Sequence, residues 1–178
     1  FDAASSTTAN AGSVTWPHTV AGANRVLLVG VSIRNGAGQT VSSVTYAGQP
    51  LTPVVSLSNG TSVRAELWQR VGPATGANNV VVTLSASARF VAGAVSFTGV
   101  DQTNPIDAFN SNSGSSNAPA VNVTTVTDYA WVVDTLANRV NATAAAGAGQ
   151  TQRWNNATGG GTNNVRDAGS TEGQKFPP

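Results

Sequence analysis

Few residues of this chain could perform acid–base or metal chemistry. His18 is the only histidine and cysteine is absent, so the sequence predicts no Ser–His–Asp arrangement, thiolate site or multi-histidine metal site within one chain. His18 follows Trp16 on the apolar face of a predicted strand, and we expect a packed, hydrogen-bonded imidazole there. The carboxylates are scattered, whereas a glycosidase needs two that converge. The sequence therefore predicts no catalytic residue, no metal ligand and no cofactor, and the chain is not expected to be an enzyme.

Three of the carboxylates have alternative interpretations. Asp134 shares a predicted strand face with Val132 and Leu136, and a buried carboxylate there requires backbone donors or a cation. We expect a structural hydrogen-bonding role for it rather than catalysis. Asp101 and Asp107 could bind calcium together with loop carbonyls, but their spacing is not that of a recognised calcium loop.

A tryptophan among charged residues is the main candidate for ligand binding. Arg64, Glu66, Trp68 and Arg70 alternate along one predicted strand and so share a face. This pattern predicts a half-exposed indole flanked by guanidinium groups, which could stack on a sugar ring. Trp154 is a second sugar-stacking candidate. The alternative is a rim tryptophan packed under arginine stems.

Glycosylation acceptor motifs occur four times, each with Thr in the third position and no Pro between. Chance alone supplies several such tripeptides in a chain rich in Asn and Thr, so the tripeptide by itself is weak evidence for glycosylation. The predicted export of the chain and the predicted turns at some of the sites are stronger evidence. The four predicted glycosylation sites are Asn59, Asn122, Asn141 and Asn156.

Composition restricts the partners and the location. The net charge is +1, only 10% of the residues are charged, and Lys175 is the only lysine, which disfavours nucleic acid and anionic membranes as partners. No apolar run approaches the roughly 18 residues of a membrane helix, so no membrane insertion is expected. The lack of methionine, even at position 1, and the small polar composition favour export after removal of a leader. The alternative is a fragment excised from a longer protein. The predicted location is secreted, extracellular or on the cell surface.

The hydrophobic pattern predicts β-structure throughout. Residues 13–20 place Val14, Trp16, His18 and Val20 on one face, and residues 25–33 (RVLLVGVSI) are apolar on both faces, as in a central strand. Residues 99–119 are predicted to be a surface loop. The other predicted strands are 41–46, 51–55, 63–71, 79–85, 89–97, 120–126, 129–137, 151–154 and 164–167. Their regular spacing predicts a two-sheet antiparallel β-sandwich of jelly-roll type.

Several segments resemble a β-sandwich module that is widespread in secreted and cell-surface bacterial proteins, often without an assigned activity. The matching pieces are VTWPHTV, NRVLLVGVSI, VSSVTYAGQPLTPV, AELWQRVGP, NVVVTLSA and VAGAVSFTGVDQTNP, in order over residues 14–106. The resemblance implies a fold and an extracellular location, and it brings no catalytic motif. It also implies a further hydrophobic strand after DAGSTEG, where this chain has only QKFPP.

The sequence therefore predicts a sandwich that is one strand short and is completed by a neighbouring subunit. Residues 1–12 are predicted to be an N-terminal extension that donates a strand, and residues 13–178 a single domain. The predicted function is that of a structural protomer in an extracellular filament, a homopolymer joined by strand exchange. Phe1, Val14, Trp16 and Val20 are the predicted interface residues. In the competing arrangement, residues 13–20 form the first strand of their own sandwich. The alternative function is a carbohydrate-binding or adhesive module.

Overall fold

The computed structural model describes residues 1–159 and 161–177 of the chain. The prediction of an all-β protein is confirmed, because the described residues form ten strands, one short 3₁₀ turn (Gly161–Asn163) and no α-helix. The strands are β1 (Ala3–Val20), β2 (Val26–Arg34), β3 (Val41–Tyr46), β4 (Gln49–Pro50), β5 (Thr52–Asn59), β6 (Val63–Val71), β7 (Gly76–Phe97), β8 (Ala130–Asn138), β9 (Thr151–Ala157) and β10 (Arg166–Lys175).

Two long strands organise the larger, antiparallel sheet. β1 pairs with β7 from Ala3 opposite Ser96 to Val20 opposite Gly76, with a bulge between Ala11 and Ser13. The other edge of β7 is shared, because β2 pairs with its second half and β3 with its first half. β6 and β5 extend the sheet beyond β2, and β4 extends it beyond β3. The large sheet therefore has two arms, one that continues through β2, β6 and β5 and one that continues through β3 and β4. Both long strands take part in each arm.

The two arms face each other because β1 and β7 fold back at the bulge. Asp2 at the start of β1 accepts a hydrogen bond of 2.9 Å from the backbone N–H of Ala21, just after its end. The side chains of Ser5 and His18, from opposite halves of β1, lie 2.8 Å apart. The large sheet is thus nearly closed into a barrel, which confirms the sandwich-like character. A jelly-roll arrangement stays a prediction.

The space between the two arms holds the main hydrophobic core. Alternate residues of β2 point into it, and the residues between them point to the opposite side of the sheet, where Val26 and Leu28 join a second cluster. Eight of the nine residues of β2 are buried, which confirms the prediction of a central strand. The inward residues of β2 are Leu27, Val29, Val31 and Ile33.

A smaller antiparallel sheet, in the order β8-β10-β9, covers the outer face of the β2 arm. Its Trp154 lies between the two sheets, where three glycines make room for the indole. A Cβ added at Gly93 of the large sheet would lie 2.2 Å from the Trp154 ring, and one added at Gly169 of the small sheet would lie 2.1 Å from it. Gly30 is the third, with its added Cβ 3.2 Å from the ring. We call this space the glycine slot.

The chain differs from the sequence prediction in three segments. Residues 79–85 and 89–97 belong to one strand, β7. Residues 120–126, predicted to be a strand, lie within a segment from 98 to 129 that contains no strand, because Val121 and Val126 are exposed and find no strand to pair with. Residues 167–173, expected to precede a missing closing strand, themselves form the centre of the small sheet, where β10 pairs with β8 and β9.

Gly93→Ala tests the glycine slot. The added methyl group would overlap the Trp154 ring, and overpacking of this kind costs roughly 1–3 kcal/mol. We expect a lower urea midpoint with an unchanged slope. The control is Gly114→Ala, which places its methyl group in open space at a residue without positive φ. Equal midpoints for the two variants would show that the slot does not constrain packing.

Candidate functional site

The two halves of β1 are fastened by a chain of side-chain hydrogen bonds. Trp16 Nε1–H donates to Ser5 Oγ (3.0 Å), and Ser5 Oγ lies 2.8 Å from His18 Nδ1. On the other side of the ring, His18 Nε2 lies 3.1 Å from Ser96 Oγ, which donates to Asp2 Oδ2 (2.8 Å). Since the Ser96 hydroxyl proton is committed to Asp2, His18 donates from Nε2 and accepts from Ser5 at Nδ1. We call these residues the His18 network.

The network confirms one prediction and defines a geometry that differs from a catalytic triad. His18 contacts two serines, and Asp2 is connected to it only through the Ser96 hydroxyl. The packed, hydrogen-bonded imidazole is confirmed, since His18 is only 2% exposed. Burial lowers its pKa to about 4, against the opposing charge of Asp2. The imidazole is therefore neutral near pH 7 and links Ser5 of β1 to Ser96 of β7.

The predicted interface residues lie within their own chain in this structure. Trp16 and Val20 are buried in the main core, and Val14 packs against it half-buried. Phe1 is exposed, with its ring edge-on to Phe97 at 6.0 Å. Residues 3–12, predicted to be an extension, pair with β7 of the same chain together with residues 13–20. β1 thus contains both the predicted donor segment and the predicted internal first strand.

Both predicted sugar-stacking tryptophans are buried. The expectation of a half-exposed Trp68 is wrong, because its side chain lies in the main core and is 9% exposed. Its Nε1–H donates to Glu66 Oε2 (3.1 Å), while Glu66 Oε1 accepts from Arg64 Nε (2.7 Å) and from the backbone of Val41 (3.0 Å). These donors allow a carboxylate to be buried beside the indole. Trp154 fills the glycine slot and is 4% exposed, so neither ring offers a face to a sugar.

Asp134 has the structural role predicted for it. Its Oδ1 accepts from the backbone N–H of Ser170 (2.9 Å), and its Oδ2 accepts from Ser170 Oγ (2.5 Å) and Gln150 Nε2 (3.0 Å). Burial raises the pKa of Asp134, and these hydrogen bonds oppose the shift. Asp101 and Asp107 accept from loop backbone N–H groups at 2.6–3.3 Å. Among the described residues, no group of three or more potential metal ligands comes together.

Asp167 is the most deeply buried acid, and the sequence analysis did not single it out. Its Oδ1 accepts from Thr135 Oγ1 (2.8 Å), and it lies between the two sheets beside Trp154 and Ser32. Burial raises its pKa to about 7, the hydrogen bond from Thr135 opposes this shift, and the charge of Asp134 adds to it. The carboxyl group is therefore partly protonated at neutral pH. Its buried position leaves it a packing role rather than contact with a substrate.

The four predicted glycosylation sites fall into two groups. The amide nitrogens of Asn59 and Asn156 are engaged, since they donate to Gly114 O (2.9 Å) and Ser6 Oγ (2.7 Å). Asn59 and Asn156, both predicted to lie in turns, are within β5 and β9. Asn122 and Asn141 are exposed, and within residues 1–159 and 161–177 their side-chain nitrogens donate to no protein group. The second pair is the more accessible to a modifying enzyme.

An exposed aromatic surface is the feature that sequence reasoning missed. The rings of Tyr129 and Phe176 meet edge to face at 5.1 Å. Trp131 rests against buried Phe97 at 5.4 Å, and Phe97 contacts Phe1, over which the Arg153 guanidinium lies at 3.6 Å. We define the aromatic surface as the four exposed rings of Phe1, Tyr129, Trp131 and Phe176. They come from distant parts of the chain, and only the Tyr129-x-Trp131 spacing could have indicated part of the surface.

Comparisons with known proteins place no constraint on the function. No family model matches the chain, and neither the curated proteins nor the solved structures give a significant match. No helix among the described residues is long and apolar enough to cross a bilayer.

The buried His18 and Asp167 oppose each other in their effect on stability. Between pH 6.5 and about 4, an unfolded chain protonates His18 while the folded chain does not, so this group lowers stability as the pH falls. Between pH 3.8 and about 7, the folded chain keeps the Asp167 proton that an unfolded chain has lost. This group therefore lowers stability as the pH rises through that range.

Asp167→Asn should separate the two effects. The amide cannot ionise. Between pH 5 and pH 8 we therefore expect the free energy of unfolding of the variant to exceed that of the parent chain by about 2 to 4 kcal/mol. Urea unfolding at several pH values measures the difference. His18→Gln is the matched control. It should remove the loss of stability that His18 causes as the pH falls from 6.5 to about 4. A parent-to-Asp167→Asn difference that is independent of pH would show that Asp167 does not titrate in this range.

Proposed function

We propose that this protein is a non-enzymatic structural subunit of a secreted, extracellular homopolymer whose neighbours are joined by exchange of β1. The observation that carries the proposal is the β1–β7 pairing, which runs from Ala3 to Val20 along one edge of β7 and is interrupted at the bulge. Without β1, β7 would present a long row of unpaired backbone groups, and such an edge is a template for a strand from another chain.

Exchange of β1 requires little change elsewhere. Within the described residues β1 joins the rest of the sandwich through one short segment, residues 21–25, where Gly22 and Asn24 have left-handed backbone conformations (φ 73° and 50°). If this segment changes direction, β1 of one subunit can occupy the edge of β7 in the next. Each contact made within a chain is then made between chains, as in domain swapping.

The side chains of β1 give the exchange its register. Trp16 and Val20 fill the main core, and a slip of one residue would turn both toward solvent. The His18 network adds polar specificity, because Ser96 of β7 must meet both His18 and Asp2. Phe1 packs on Phe97 at the far end of the ladder. Apolar anchors and a buried polar match therefore select the partner edge, which supports a second copy of the same chain as the partner.

The alternative function, carbohydrate binding, cannot use the two tryptophans that were predicted for it. Trp68 and Trp154 are buried, so a sugar-binding role would have to rest on the aromatic surface. This second activity is compatible with a structural subunit because the aromatic surface lies mainly on the small sheet and its flanking segments.

Cysteine pairing tests the exchange. Ser13 and Thr83 are directly opposite in the β1–β7 ladder with their hydroxyl oxygens 3.4 Å apart, a placement suited to a disulfide, and the chain has no native cysteine. One batch carries Ser13→Cys and a second carries Thr83→Cys. We expect that assemblies formed from the mixture contain the mixed disulfide, because β1 from one chain then lies on β7 of another.

The matched control replaces Thr83→Cys with Ser43→Cys. Ser43 pairs with Thr83 from the other side of β7, so it lies two strands from Ser13, roughly 10 Å away, and should not crosslink. The proposal of exchange fails if the Ser13→Cys and Thr83→Cys mixture gives no more mixed disulfide than the control. The proposal of a polymer fails if the unmodified chain stays monomeric in sedimentation at all concentrations.

Glycosylation is a separate part of the proposal. We expect glycans on Asn122 or Asn141 in native material, in preference to Asn59 and Asn156, whose amide nitrogens are held in hydrogen bonds. Glycopeptide mass spectrometry locates the sugars. Unmodified peptides at all four asparagines in native material would contradict glycosylation, and occupancy confined to Asn59 and Asn156 would contradict the preference.

A further inference from the structure

We propose that the aromatic surface is a glycan-binding site in which sugar rings stack on Trp131, with Tyr129 and Phe176 as a second stacking point. The proposal goes beyond assembly, since it concerns a surface on and beside the small sheet and does not depend on exchange of β1. It also assigns sugar stacking to residues other than the buried Trp68 and Trp154.

Trp131 is fixed in place although its side chain is partly open to solvent. Its ring packs against Phe97 with a tilt of 59° between the planes. On the neighbouring strand β10 lies Gly173, where an added Cβ would be 3.1 Å from the indole ring. The lack of a side chain at Gly173 therefore lets the indole lie close over β10. A ring held by its neighbours loses little conformational freedom when a ligand binds.

The second stacking point lies at the adjacent end of the small sheet. Tyr129 directly precedes β8 and Phe176 directly follows β10, and Lys175 is paired with Ala130 between them. The two rings contact each other edge to face, an arrangement that leaves parts of both rings open. Tyr129 also carries a hydroxyl group that can donate or accept a hydrogen bond.

The size of the surface favours a small ligand over a protein. An aromatic side chain has about 150–250 Å² of surface, and the rings of Tyr129, Trp131 and Phe176 are 39–63% exposed. Together these three rings offer about 300 Å², less than half of the ~800 Å² that each partner contributes to a standard protein interface. The aromatic surface is thus too small for a stable dimer but can cover one or two sugar rings.

The chemistry around the rings favours a sugar over other small ligands. Rings exposed to this degree form an open platform, whereas sites for apolar ligands enclose most of the molecule. A sugar has C–H faces for stacking and hydroxyl groups for hydrogen bonding. The Tyr129 hydroxyl can donate to or accept from those hydroxyls. Single-stranded nucleic acid also stacks on aromatic rings, but it needs a basic groove, and the chain has a net charge of only +1.

Indole NMR provides a specific test because the other three tryptophans are buried. Cellohexaose and chitohexaose are the probes, titrated to millimolar concentration into ¹⁵N-labelled protein, with the Trp131 signal assigned from Trp131→Phe. We expect the Trp131 indole N–H signal to shift with at least one probe while those of Trp16, Trp68 and Trp154 stay unchanged. Trp131→Ala should weaken binding by at least about tenfold, and Tyr129→Ala by a smaller factor.

Phe109→Ala is the matched control, because Phe109 is as exposed as Tyr129 but lies in the segment between β7 and β8. It should leave the affinity unchanged, and urea unfolding checks that each variant is folded. The proposal is overturned if the Trp131 signal shifts with neither probe. It is also overturned if Tyr129→Ala and Phe109→Ala bind the probe with equal affinity. A third contradicting result is that Trp131→Ala loses self-association while no sugar response is seen. The cysteine test of β1 exchange uses neither probe nor ring, so the two proposals can fail separately.

Discussion

The fold depends on a single constraint, which is that β1 and β7 belong to both arms of the large sheet. A ladder of this length must bend to enclose a core, and the bulge between Ala11 and Ser13 supplies the bend. Once the ladder is folded, β2 and β3 can use different halves of the same β7 edge. The main core then closes between the arms. The small sheet is added on the outside of one arm, where Trp154 inserts among the three glycines of the glycine slot.

The protein uses neutral hydrogen-bonding groups where larger charge networks are common. Its interior contains His18, Asp167, Glu66 and several serines and threonines, and most of them meet a hydroxyl or backbone partner. Among the buried acids of residues 1–159 and 161–177, only Glu66 is matched by a guanidinium group, from Arg64. Hydroxyl groups suit this task because each can donate and accept at once, as Ser5 does between Trp16 and His18. Partners of this kind join strands that are far apart in the sequence, as Ser96 of β7 joins His18 and Asp2.

The sequence patterns predicted correctly those features that depend on residues close together in the chain. The apolar run of β2, the buried His18 and the hydrogen-bonded Asp134 followed from alternation and from the cost of burying polar groups. Contacts between residues that are far apart in the sequence could not be predicted from these patterns. Trp68 was expected to be half-exposed because charges surround it, yet the indole is buried against Glu66, whose carboxylate is paired with Arg64. The position of β10, the slot for Trp154 and the meeting of Trp131 with Phe97 depend on strand order and register, which no local pattern contains.

The bend in the β1–β7 ladder also has a mechanical consequence. When a paired strand is pulled along its own axis, its hydrogen bonds are loaded together in shear; when it is pulled across that axis, they open one at a time. Because β1 changes direction at the bulge, a single pull cannot lie along both halves. One half resists as a unit while the other peels from its end. The bulge therefore divides β1 into a segment that carries tension and a segment that yields first, and the direction of the pull decides which is which.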